Sequence, residues 1–227
     1  MLSPFFMTLT RLHAFGRTSC SVVKTFGNEL TIVAAWLEHA RALIVPRSLY
    51  LSAIYGKSFL ELRLLNLTQA VEAYHRRFYS GRYMKEEDYE AQVSSLLQEA
   101  IPTGLDSSLR DSLKSRLKYG NEYSFHKRLR SLFSEHEVAL ATIVPNPSRW
   151  ISKIRDYRNN FTHHPVIGDT PHSIDAEEVI RCNHVLRILL ELCFLKSMGM
   201  TAEEIVGLSA KCSNYRQIRE RFFLPEK

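Results

Sequence analysis

The stretch FLELRLLNLTQAVEAYHRRFY, residues 59–79, decides the fold of this chain. Its apolar residues recur at alternating steps of four and three, which draws one stripe along about five turns of an α-helix. Charged side chains occupy the opposite face, and Ser80-Gly81 provides a stop signal. The stretch therefore predicts a long core helix, whose stripe consists of Leu60, Leu64, Leu67, Val71, Tyr74 and Phe78.

Helical spacing of apolar residues extends over most of the remaining chain, and no segment predicts a strand. Thr201 and Glu204 form a capping-box pattern that opens a last helix. We therefore predict an all-α helical bundle at residues 28–227, preceded by an irregular lead-in at residues 1–27. The predicted core helices are 59–79, 148–164 and 176–198, and the other helices are 28–43 (closing near Pro46), 85–100, 105–118 and 122–136.

Composition agrees with a folded helical domain. The 227 residues are 45% hydrophobic and 24% charged, which excludes a mostly disordered chain. Only 9 glycines and 8 prolines are present, too few for a β-sandwich with many turns. Lys and Arg number 30 against 24 Asp and Glu, so a net charge of +6 favours anionic partners.

Two basic faces are candidates for RNA contact. Leucines at every fourth position of 105–117 predict a packed side, next to a row of cations. The helix at 122–136 continues this basic run with Lys127, Arg128 and Arg130. A solvated charged face is the alternative interpretation. The candidate RNA-binding residues are Arg110, Lys114, Lys118 and Arg155.

Cysteine spacing and hydropathy indicate where in the cell the protein is expected. The four cysteines are not closely paired, so we expect reduced thiols in a cytoplasmic protein. No apolar run reaches the 18 or so residues of a membrane helix. Residues 1–27 superficially resemble an organelle transit peptide, although an irregular lead-in fits equally well. The spacing of His172, Cys182 and His184 fits no zinc pattern, and we predict neither metal nor cofactor.

The segment RDYRNNFTHH, residues 155–164, combines phosphate-binding and proton-transferring side chains beside Pro165. Arginine offers a permanently charged fork that matches phosphate oxygens, and histidine exchanges protons near neutral pH. RNA cleavage needs both, because the 2′-hydroxyl loses a proton, the leaving 5′-oxygen gains one, and new negative charge is stabilised. The candidate residues are Arg158, Asn159 and His163, with His164 in a supporting position.

Helix geometry limits how this segment can act. At about 100° per residue, Arg158 and His163 point about 140° apart on one ideal helix. Either the helix distorts before Pro165, or a second copy of the motif completes the site across a dimer.

Three segments carry a resemblance to a known family. Arg158-Asn159-x-x-Thr162-His163 resembles the Arg-x4-His signature of HEPN domains, and more closely the RNxxTH form of ApeA-like anti-phage HEPN proteins. Glu72, His75 and Arg76 resemble the E-x-x-H-R element of the early family helix. NEYSFHKRLRSLF, residues 121–133, and the helices after Arg181 are also similar to family positions.

This resemblance implies an all-α HEPN bundle with additional helices that dimerises, so that two motifs form one metal-independent ribonuclease site. Arg158 would bind the scissile phosphate, His163 would be the acid or base, and Asn159 would orient the site. His164 departs from the family pattern and makes the spacing ambiguous, and Thr162-His163 favours His163. Glu72 is a candidate supporting residue, although a buried polar bracket with His75 and Arg76 is the favoured interpretation.

The resemblance implies two functions. The first is a toxin-type or anti-phage endoribonuclease, a homodimer that cleaves single-stranded RNA or tRNA and is paired with an antitoxin or a sensor protein. The second is a non-catalytic HEPN module that docks a partner nucleotidyltransferase or sensor. ApeA-like proteins carry a large N-terminal domain, whereas only about 27 unmatched residues precede the bundle here, so we expect that domain to be absent or on another chain.

Overall fold

The structure is a computed structural model that describes Ala34, residues 37–162 and residues 175–224. These residues form eleven α-helices and one π-helical turn, with a single isolated β-bridge and no strand. The predicted all-α class is therefore confirmed for the described chain. The elements are α1 (Ile44–Tyr55), α2 (Leu60–Phe78), α3 (Glu86–Tyr89), the π-turn (Glu90–Ser94), α4 (Ser95–Glu99), α5 (Ser107–Lys118), α6 (Phe125–Glu135), α7 (Glu137–Ala141), α8 (Arg149–Thr162), α9 (Ala176–Ser197), α10 (Ala202–Lys211) and α11 (Ser213–Phe222).

Helix α2 lies at the centre of the bundle, packed between α1 and α9. The middle of its predicted stripe is buried, and Leu64, Leu67 and Val71 are fully enclosed. Tyr74 is also buried, and its hydroxyl donates to the carbonyl of Cys193 on α9 at 2.9 Å. Helix α9 is buried along most of its length, because neighbours cover more than one of its faces. Burial of α2 and α9 against each other supplies the main core of the molecule.

A polar cluster fastens the outer helices to this core. Glu191 on α9 accepts hydrogen bonds from Tyr50 of α1 at 2.5 Å and from Tyr215 of α11 at 2.8 Å. Arg187, one turn earlier on α9, donates to the same carboxylate at 2.8 Å. Arg187 thus compensates the charge of the mostly buried Glu191. Through this carboxylate, α1 and α11 are both hydrogen-bonded to α9.

Helix boundaries agree with the predictions only in part. The predicted helix end near Pro46 agrees with the turn at residues 40–43, but Pro46 itself lies in the first turn of α1, where a proline is tolerated because the N–H groups there have no partner within the helix. The predicted last helix is two helices, α10 and α11, separated at Cys212. The Thr201–Glu204 capping box at the start of α10 is confirmed. The predicted helix at 28–43 falls mostly outside the described residues, as does the lead-in at 1–27.

Residues 83–121 project from the bundle and are called the arm, and helices α1, α2 and α6–α11 are called the body. The π-turn joins α3 to α4, and α4 turns back into α5, so the arm is a helical hairpin. Helix α5 has no buried residue. The predicted packed side of α5 is only partly covered: Leu105, Leu113 and Leu117 are partly buried, whereas Leu109 is exposed.

The arm joins the body through a short neck. The backbone amide of Tyr123 donates to the carbonyl of Gly81 at 2.7 Å, and the backbone amide of Tyr83 donates to the carbonyl of Asn121 at 3.0 Å. The Asn121 side chain also bonds both backbone groups of Met84. Gly81 has a φ of 59°, and a β-carbon there would lie 2.2 Å from Nη1 of Arg128. Glycine is therefore required where the chain leaves the body.

No helix in the described part of the chain is long and apolar enough to cross a membrane.

Candidate functional site

The described part of the predicted motif, residues 155–162, lies on the body helix α8. Its stripe begins with Trp150 and Ile154, both buried, and continues with Tyr157 and Phe161, which are half-buried and stack on each other. The predicted core helix at 148–164 is thus confirmed over 149–162. The apolar stripe fixes which face of α8 turns outward, and therefore where the polar motif residues lie.

Glu178 of α9 holds the middle of α8 by two contacts. It accepts a hydrogen bond from the hydroxyl of Tyr157 at 2.9 Å and forms an ion pair with Lys153. Burial raises the pKa of Glu178, but the hydrogen bonds from Lys153 and Tyr157 outweigh it and hold the pKa below its ordinary value. Glu178 is therefore charged at neutral pH. Its contacts with Lys153 and Tyr157 hold α8 against α9 next to Arg158.

Arg158 presents a half-exposed guanidinium group on the outer side of α8. Its Cζ lies 5.6 Å from the ring centroid of Phe125, the first residue of α6. Its Nη1 donates to Oδ1 of Asn159 at 3.2 Å. None of the ion pairs of the described residues engages Arg158. A cation held by an aromatic ring and an amide keeps donors free for an external anion.

The last turn of α8 brings the chain to the predicted histidines. Thr162 donates to the carbonyl of Arg158 at 2.6 Å and is the final residue of the helix. His163 and His164 lie outside the described residues. Their distance to Arg158 and the choice between the two spacings stay predictions.

Glu72 belongs to a polar bracket near the neck. Arg76 donates to Glu72 from Nε and Nη2, both at 3.1 Å, and to Glu122 at 2.5 Å. His75 is buried, with Nε2 3.0 Å from Ser131 Oγ and Nδ1 3.1 Å from Arg128 Nη1. These contacts agree with the favoured interpretation that Glu72, His75 and Arg76 form a structural polar bracket. The supporting role of Glu72 at the site stays a prediction.

Arg128 corrects another prediction. It was expected on a basic surface with Lys127 and Arg130, but only 1% of it is exposed. Its guanidinium donates to the carbonyls of Tyr123 (3.0 Å) and Gly81 (3.4 Å), and it pairs with Glu122 at 3.4 Å. Burial, together with Arg128 and Arg76, lowers the pKa of His75 to about 4, so His75 is neutral at physiological pH and can accept from Arg128.

The candidate RNA-binding residues lie on two helices, α8 and α5. Arg155 donates to Asp156 on the same helix at 2.8 Å. Arg110, Lys114 and Lys118 belong to α5 of the arm. The structure thus brings only Arg158 and Asn159 into direct contact among the predicted site residues it describes.

Two contacts of the site have no signal in the sequence. Phe125 lies 33 positions before Arg158, and Glu178 lies 21 positions after Tyr157. No local spacing predicts contacts over such separations.

Cys182 and His184, whose spacing with His172 fits no zinc pattern, have separate structural surroundings. Cys182 is buried on α9, where burial raises the pKa of its thiol to about 12. His184 packs against Phe222 with ring centroids 4.2 Å apart. His172 lies outside the described residues. Within those residues, no group of three or more His, Cys, Asp or Glu could hold a metal ion.

Comparison with known proteins identifies one relationship. The family model described as Apea-like HEPN matches residues 65–204, which include most of α2, the whole arm and α8. No curated protein and no solved structure matches the chain significantly.

Proposed function

Since the chain belongs to the Apea-like HEPN family, we propose that it is a metal-independent endoribonuclease that cleaves single-stranded RNA or tRNA in toxin-type or anti-phage defence. Family membership supports a nuclease or RNA-related defence role in general terms. The observation that carries the specific proposal is Arg158, whose guanidinium forms no ion pair within the described residues and stands on α8 five residues before His163 in the sequence.

The proposed chemistry divides between these two side chains. Arg158 binds the scissile phosphate and stabilises the charge that develops on its oxygens. His163 takes the proton from the 2′-hydroxyl or gives one to the leaving 5′-oxygen. The 2′-oxygen attacks phosphorus, the bond to the 5′-oxygen breaks, and a 2′,3′-cyclic phosphate remains. Asn159 orients Arg158 through the 3.2 Å contact.

A two-fold dimer is part of this proposal. Arg158 and His163 point about 140° apart on one ideal helix, so one motif cannot direct both groups at the same phosphate. Two α8 helices that face each other place Arg158 of one protomer near His163 of its partner. Sedimentation at tens of micromolar tests this, and a species of only 26.3 kDa contradicts it.

The decisive experiment compares matched variants in an RNA cleavage assay. Arg158→Ala and His163→Ala should each reduce cleavage at least about 100-fold, because each removes a charge or a proton-transfer group. Arg149→Ala, which removes an exposed cation at the first residue of the same helix, is the control and should retain activity. His164→Ala separates the two spacings. Chelator should leave the rate unchanged.

Growth arrest and product analysis extend the test. Expression of the wild-type chain should stop bacterial growth, and His163→Ala should relieve the arrest. Mass spectrometry should detect cyclic phosphate ends. If the folded wild-type protein cleaves neither single-stranded RNA nor tRNA, the endoribonuclease proposal fails. A partner protein bound through the α8 face would then establish the chain as a docking module.

A further inference from the structure

The arm exposes apolar side chains near its tip. Leu96 and Leu97 of α4 are 60% and 46% exposed, and Leu109 of α5 is 48% exposed. Proteins that act as monomers seldom place several large apolar residues together on a projecting element without a binding role. The arm helices pack on each other, and within the described residues these leucines stay largely exposed.

Charge is segregated between the two sides of the arm. The segment Glu86–Glu99 carries five acids and no base, whereas α5 carries four bases and one acid. Within the described residues the four bases form no ion pair, and of the five acids only Glu86 does, with Arg82. The five acids are Glu86, Glu87, Asp88, Glu90 and Glu99, the four bases are Arg110, Lys114, Arg116 and Lys118, and the acid among the bases is Asp111.

We propose that the arm is a self-association surface and that its occupant is the arm of a second copy of this chain. In a two-fold arrangement, the acidic helices of one arm lie on the basic α5 of its partner, and the same contact forms again across the axis. Leu96 and Leu97 then pack against Leu109 of the partner copy. The surface is self-complementary in both charge and apolarity.

The distribution of charge favours a second copy over RNA. A polyanion would be attracted by α5 but repelled by the five carboxylates beside it. Exposed leucines on both helices also match an apolar protein surface better than a phosphate backbone. A second arm offers a basic helix to the acidic helices, acidic helices to the basic helix, and an apolar surface to the leucines.

This surface is distinct from the α8 face. Helix α5 has 12 residues and is therefore about 18 Å long, and the chain reaches the neck at Asn121 only after its C-terminal end. The inference does not depend on ribonuclease activity. It holds or fails by association alone.

A charge-exchange experiment tests the proposal. One variant reverses the basic helix with Lys114→Glu and Arg116→Glu, and a second reverses the acidic side with Glu90→Lys and Glu99→Lys. A control reverses two exposed body residues, Lys211→Glu and Arg216→Glu. Each full-length protein carries either of two tags, and the dissociation constant of every pair is measured at low and high salt.

We expect each arm variant to associate with itself at least tenfold more weakly than the wild type. The two arm variants mixed together should bind each other at least tenfold more tightly than either binds itself, and the control should behave as the wild type. Equal affinity for all pairs overturns the proposal, since contact through α8 alone gives that result. Loss of binding to single-stranded RNA by the basic-helix variant, with unchanged self-association, also overturns it and assigns α5 to RNA.

Discussion

The body and the arm have similar leucine patterns but opposite burial. In the body, Leu64 and Leu67 of α2 are fully enclosed by α1 and α9. In the arm, Leu109 of α5 is half exposed, although its stripe has an equally regular spacing. The difference teaches that a periodic apolar face specifies a helix and its orientation, whereas burial depends on whether another element reaches that face.

Truncation of leucine should separate the two regions most strongly. Leu67→Ala deletes packed methyl groups in the enclosed core and should lower the free energy of unfolding by about 2–5 kcal/mol. The matched change Leu97→Ala in the arm should cost under about 0.5 kcal/mol in the monomer, because water already reaches that side chain. Urea titration followed by circular dichroism measures both. Similar losses for the two variants would remove the distinction between body and arm.

Arg128 tests the joint between the two regions. Arg128→Ala leaves the carbonyl of Tyr123 and Nδ1 of His75 without the donor they have in the wild type and should cost about 1–3 kcal/mol. Hydrogen exchange should accelerate first at the neck, where the amide of Tyr123 bonds Gly81 at 2.7 Å. Lys127→Ala, the neighbouring residue with an exposed cation, is the control. Uniform acceleration across α2 and α9 would show that Arg128 supports the whole body instead.

His136, between α6 and α7, sharpens the comparison through pH. Burial lowers its pKa to about 4, and its Nε2 has no hydrogen-bond partner within the described residues. The unfolded chain takes up this proton near pH 6.5, but the folded chain does so only near pH 4. The resulting stabilisation is full above about pH 6.5 and is lost as the pH falls toward 4.

His136→Leu should therefore flatten the dependence of unfolding free energy on pH. Between about pH 6 and pH 5 the slope should fall by up to about 1.4 kcal/mol per pH unit. His75 and His184, whose pKa values burial also lowers to about 4, should maintain the remaining slope. An unchanged slope in urea titrations at these pH values would contradict the assignment of His136.

The candidate site was predictable only where the residues are close in sequence. Thr162 lies four residues after Arg158, so its hydrogen bond to the Arg158 carbonyl follows from helical spacing, and Asn159 is the next residue after Arg158. The ring of Phe125 under Arg158 and the Glu178 anchor were not predictable, because they join helices separated by long connections. The position of α8 against α6 and α9 decides these contacts.

The sequence by itself determined the helices. The stripes of α2, α8 and α9, the capping box at Thr201 and the motif at the end of α8 all depend on steps of three and four residues, and backbone geometry converts such steps into a face. It also determined the family, since the family model matches residues 65–204.

Tertiary structure alone decided which faces are covered. Arg128 and Lys127 are adjacent cations, yet Arg128 turns inward because the Gly81 carbonyl and Glu122 meet it there, whereas Lys127 lies over the ring of Tyr123. Pro46 lies in the first turn of α1 and is buried where that helix packs in the bundle. The physical reason is that local periodicity fixes the direction of a side chain, while burial requires a partner surface that only the assembled chain provides.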